Sequence, residues 1–67
     1  MLKPEKYTLK QAFSSLKEAR KGNGLARAIF RKWCDANAFP YEDEPECQAV
    51  KSYEDFTRLH IKIWYIP

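Results

Sequence analysis

Thr57-Arg58-Leu59-His60-Ile61-Lys62-Ile63-Trp64-Tyr65 is the stretch on which the fold class turns. Thr57, Leu59, Ile61, Ile63 and Tyr65 alternate with Arg58, His60, Lys62 and Trp64, the period of two that sends one set of side chains to a core and the other to solvent. The alternation predicts a half-buried β-strand. A strand's backbone groups need partners, so residues 59–66 require a second strand. Residues 47–53 are the first choice, in a hairpin turning at Glu54-Asp55. A competing reading starts a short helix at Ser52, because Ser52-Tyr53-Glu54-Asp55 fits a capping box. The segment 2–7, or a second copy of the chain in a homodimer through the C-terminal strand, are further pairing partners.

Outward from this stretch, the chain reads as helical. In residues 8–21, Leu9, Ala12, Phe13, Leu16 and Ala19 form one apolar stripe. Thr8 and Gln11 make a capping box at one end; Arg20 and Lys21 suit the negative pole at the other, with Gly22 at the C′ position. A second helix is predicted over residues 25–37, where Leu25, Ala26, Ile29, Phe30, Trp33 and Ala36 fall within an arc of about 140°. Arg27, Arg31 and Asp35 lie opposite, and Phe39-Pro40 gives a stop signal. Joined at Gly22-Asn23-Gly24, the two form an αα-hairpin. Residues 40–46 hold two prolines and four acids, which argues for a solvated connection without regular structure. The expected fold class is therefore α+β: an N-terminal αα-hairpin packed on a small C-terminal β element, either a hairpin or a single paired strand.

Size and composition bound the function. Sixty-seven residues are enough for a single domain over 1–67, and 45% hydrophobic with 15% aromatic residues is sufficient for a small core. No apolar run approaches the roughly 18 residues of a membrane span, and the N-terminus lacks a signal-peptide stretch, so no membrane partner and a cytoplasmic location are expected. Two cysteines fit free thiols in a reducing compartment better than a disulfide framework.

Chemistry-bearing motifs are sparse. Cys34, Asp35, Cys47 and His60 lack the close pairing of a zinc site, so neither a metal nor another cofactor is expected, and Cys34 reads as a small core residue. No glycine-rich phosphate loop or serine elbow accompanies them, and the chain reads as a non-enzyme. His60 is expected to face solvent from the strand.

Charge carries more information. Residues 1–35 hold nine Lys or Arg against three acids, and residues 36–67 hold three against six, so the molecule is expected to be electrically two-faced. Lys10, Lys17 and Lys21 form a stripe on the first helix, to which Arg27, Arg31 and Lys32 add charge from the second. Glu18 and Asp35 interrupt this patch. The Gly-containing turn suits a helix-turn-helix, but the residues around it are polar and no third helix is evident. Trp33 and Tyr65 read as core, and Trp64 as an exposed contact residue. Two functions fit: a small accessory protein binding nucleic acid through the basic hairpin at Lys10, Lys17, Lys21, Arg27, Arg31 and Lys32, or a protein-binding adaptor or inhibitor presenting Glu42, Asp43, Glu44, Glu46 and Trp64.

Overall fold

The computed structural model describes residues 3–65. A short 3-10 turn, Pro4–Lys6, leads into α1 (Leu9–Arg20), α2 (Gly24–Asn37), a single-turn α3 (Pro45–Gln48) and α4 (Tyr53–Trp64). No strand occurs among the described residues. The expected α+β architecture and its C-terminal β element are therefore corrected to an all-helical arrangement. Of the predicted strand over residues 59–66, residues 59–64 form the body of α4, and residues 47–53 supply the end of α3, an irregular link and the start of α4. Leu2 and Ile66, which those pairings included, lie outside the described residues. With no strand among the described residues, the homodimer through a C-terminal strand has no support.

Local chemistry explains why α4 forms. Ser52 Oγ accepts the Asp55 amide at 3.2 Å, and the Asp55 carboxylate accepts the Lys51 amide at 3.0 Å. Glu54 and Asp55 sit at the positive pole of the helix and Lys62 in its last turn. Glu54 also pairs with Arg58 one turn on, at 2.5 Å. Phe56, Leu59, His60 and Ile63 follow the i, i+3, i+4, i+7 pattern: Phe56 is fully buried and the others half-buried, while Ile61 is 39% exposed. A helix satisfies its backbone internally, whereas an isolated strand leaves a row of groups unpaired.

The αα-hairpin forms as its punctuation predicts. Thr8 and Gln11 make the reciprocal capping box. At the turn, the Gly22 amide donates to Ala19 O at 3.1 Å and the Asn23 amide to Glu18 O at 3.2 Å, the two bonds of a Schellman motif. Gly22 takes φ +96°, where a side chain would be strained, and Asn23 caps α2 through the Ala26 amide at 3.1 Å. The buried face of α2 is rotated from the predicted arc: Ala26, Phe30, Trp33 and Cys34 are buried, while Leu25 is 72% exposed and Ala36 is also exposed. The helix ends at Ala38, in the left-handed region at φ 54°, which turns the buried Phe39 back onto the core.

Phe56 joins the helices. Its ring lies 4.8 Å from Phe39, 5.4 Å from Phe13, 5.6 Å from Trp33 and 6.3 Å from Phe30, centroid to centroid. Burying each such side chain stabilises by about 1.5–3 kcal/mol, with roughly 0.5–1.5 kcal/mol more per well-oriented aromatic pair. Cys47 and Val50 close the same cluster from the α3 side. The competing reading of a helix starting at Ser52 is the one the structure follows, in α4, and α3 adds a further helical turn before it. No helix among the described residues is long and apolar enough to cross a membrane.

Candidate nucleic-acid interface

The lysines of α1 line a flank of its core stripe, about 110° around the helix wheel from the stripe's centre. With Ala12, Phe13 and Leu16 fixed inward, Lys10, Lys17 and Lys21 fall within about 40° of one another on the helix wheel and are all exposed. Lys21 Nζ meets Glu18 at 3.1 Å, an exposed pair that water screens. Lys17 Nζ stands 5.4 Å from the Phe13 ring centroid. Lys10, Lys17, Arg27 and Lys32 enter no ion pair among the described residues.

Arg31 is placed differently from the rest of the basic set. Its Nε donates to Glu42 Oε1 at 3.0 Å and a terminal nitrogen to Glu42 Oε2 at 2.6 Å, a bidentate pair, with Asp43 at 3.5 Å. The guanidinium lies 4.9 Å from the Tyr41 ring centroid. Tyr41 in turn donates its hydroxyl to Asp35, and its amide donates to Glu44 Oε2 at 2.7 Å. The Arg31 hydrogen bond holds the Glu42 carboxyl below its ordinary range, with the charges of Arg31 and Arg27 adding to it. The Asp35 bond shifts the Tyr41 phenol upward.

The basic and acidic candidate sets, distant in the sequence, therefore meet on α2. The expected separation into two charged faces gives way here, because Glu42 and Asp43 fold back onto Arg31 and Glu42 feels Arg27. Residues 40–46 are correspondingly more ordered than a solvated connection: Tyr41 and Glu42 are half-buried, and Pro45 starts α3. Glu44 is spent on the Tyr41 amide, and Glu46 is exposed in the first turn of α3.

The aromatic candidates also move. Trp33 is core, as expected, with its indole N–H donating to Tyr7 O at 3.1 Å. Trp64 is 52% exposed but is tied down, its indole N–H donating to Asn37 O at 2.8 Å across the end of α2. Tyr65, expected in the core, is 72% exposed. His60 is half-buried between the Trp33 and Tyr65 rings, at 6.1 and 6.4 Å, and burial lowers its pKa.

The thiols are buried and free. Cys34 donates to Pro40 O at 3.5 Å and its pKa is raised by burial. Burial pushes Cys47 up to about 11, partly offset by Arg20, which donates to the Cys47 carbonyl at 2.8 Å. No group of three or more His, Cys, Asp or Glu stands together among the described residues.

One residue that sequence reasoning missed shares Phe13 with Lys17 as a neighbour. Tyr53, the first residue of α4, is 41% exposed and rests on Phe13 with ring centroids 5.7 Å apart. The capping box at Ser52 was the signal that places it on a helix rather than in a strand. No protein-family profile, curated protein or solved structure matches this chain.

Proposed function

We propose that this chain is a non-catalytic accessory protein that binds nucleic acid through the exposed lysine stripe of α1, with the exposed Arg27 and Lys32 of α2 adding positive charge. The observation that carries this reading is the contrast within the basic set, where Arg31 is clasped by two acids and Lys10, Lys17, Arg27 and Lys32 enter no ion pair among the described residues. Acids fold onto Arg31 of α2, while Lys10 and Lys17 of α1 stay without an acidic partner and share one face with Lys21. Phosphate recognition draws on clustered, uncompensated Lys and Arg of this kind. A non-catalytic role fits the thiols, which burial keeps protonated, and His60, whose ring neighbours are aromatic rather than an orienting carboxylate.

Fluorescence anisotropy with labelled oligonucleotides across a salt series tests the reading. Lys10→Glu and Lys17→Glu are expected to weaken binding and to flatten the salt slope by about one unit per lost contact. Arg31→Gln is expected to change affinity far less, because Glu42 already occupies that guanidinium. Equal losses from all three, or no binding by the wild type at low salt, would contradict the proposal. The rival reading, a protein-binding adaptor or inhibitor, rests on the exposed Ile61, Trp64 and Tyr65 at the end of α4 and on the exposed Glu46. It predicts a partner whose capture survives nuclease and is lost on Tyr65→Ala.

A further inference from the structure

Lys17 of the stripe and an exposed aromatic ring share Phe13 as a neighbour, and that arrangement bears on which form of nucleic acid fits. Tyr53 leans on Phe13 at a centroid distance of 5.7 Å and an interplanar angle of 58°, and Phe13 also packs on the fully buried Phe56 at 5.4 Å. The Tyr53 ring is thus backed by core on one side while 41% of the residue stays open. Lys17 Nζ sits 5.4 Å from the same Phe13 centroid, so it stands no farther than about 11 Å from the Tyr53 ring. A strand of a few nucleotides, at about 3.4 Å or more per nucleotide, spans that distance. Of the acids next to Tyr53 in the chain, Glu54 makes an exposed pair with Arg58 and the Asp55 carboxylate accepts the Lys51 amide.

We propose that the strand held at this site is unpaired, with one base stacked on Tyr53 while a neighbouring phosphate meets Lys17. This rests on the nucleic-acid reading above. An exposed aromatic beside a basic track is the way proteins grip single strands, because every base offers a π-face only when it is not enclosed in a duplex. Stacking on Tyr53 is indifferent to the sugar, so DNA and RNA strands both fit. A preference between them would report contact with the 2′-hydroxyl.

The test compares single-stranded DNA, single-stranded RNA and a duplex of the same sequence by anisotropy with the full chain. Wild type is expected to favour both single strands over the duplex. Tyr53→Leu keeps an apolar side chain against Phe13 but removes the ring, and is expected to weaken single-strand binding by roughly five- to a hundred-fold with little change for the duplex. Tyr53→Phe is expected to restore it. Tyr65→Ala, on the other exposed tyrosine of α4, is expected to leave it intact. Circular dichroism of each variant verifies the fold. Equal affinity for duplex and single strands with Tyr53→Leu silent overturns this inference and leaves the phosphate-binding reading standing. Wild type that binds no nucleic acid removes both.

Discussion

Phe56→Ala is the perturbation that most sharply separates the helical account of the C-terminal segment from an extended one. In the helix, Phe56 is fully buried and touches the rings of Phe13, Phe30, Trp33 and Phe39, so its removal opens a cavity where all the larger helices meet. Losses of about 3–5 kcal/mol are usual for a buried Phe truncated to Ala. At about 0.05–0.15 kcal/mol per residue, a chain of 67 residues has only about 3–10 kcal/mol in total. Phe56→Ala is therefore expected to remove most of the stability. Ile61→Gln, at a position 39% exposed, is expected to cost about 1 kcal/mol or less. In a strand the order reverses, since Ile61 would face the core and Phe56 would flank the turn. Urea unfolding followed by circular dichroism and tryptophan fluorescence, from Trp33 and Trp64 together, reads both variants. A Phe56→Ala loss under about 1 kcal/mol, with Ile61→Gln the costlier change, would refute the α4 assignment.

Ala38→Gly is expected to stabilise by about 1 kcal/mol, because Ala38 holds φ 54°, where an L side chain crowds its own carbonyl; a lowered urea midpoint would contradict this. Stability is expected to fall with acidification across the His60 titration. Burial lowers the folded pKa below the unfolded value of 6.5, so the contribution is fully present above that value and is lost as the pH falls through the folded pKa. His60→Asn is expected to flatten the urea midpoint between about pH 7.5 and 5.5, and an unchanged slope would argue against a burial penalty on the imidazole. Both thiols are expected to react with an aromatic disulfide reagent only as fast as the fold opens, and rapidly in denaturant. Immediate reaction in the native state would contradict their burial.

The parts of the fold set by local rules were legible in the sequence. Thr8 and Gln11 announce α1, Gly22 its end, and the apolar stripe of Ala12, Phe13 and Leu16 its inner face. The C-terminal segment was not, because Leu59, Ile61, Ile63 and Tyr65 alternate by two over the same window in which Phe56, Leu59, His60 and Ile63 repeat at helical spacing. Strand preference of residues such as Ile and Thr spans only about 1 kcal/mol and depends on a partner strand. The Ser52 cap, the acids at the helix start and the aromatic cluster around Phe56 outweigh it. The rotation of α2 is a tertiary effect, since Phe56 of α4 and Phe39 pack on Phe30 and Trp33 while Leu25 stays exposed. Of the candidate site, the lysine stripe follows from spacing alone. The engagement of Arg31 by Glu42 does not, because it joins residues 11 apart through a reversal of the chain at Ala38.

Amide chemical-shift mapping of the isotope-labelled protein during titration with a short single-stranded oligonucleotide tests the functional claim most directly. The expected perturbations centre on Lys10, Lys17 and Lys21 of α1 and on Tyr53, with small changes at Arg31 and Glu42. Perturbations confined to residues 42–46 and 61–65, or none at low salt, would contradict it.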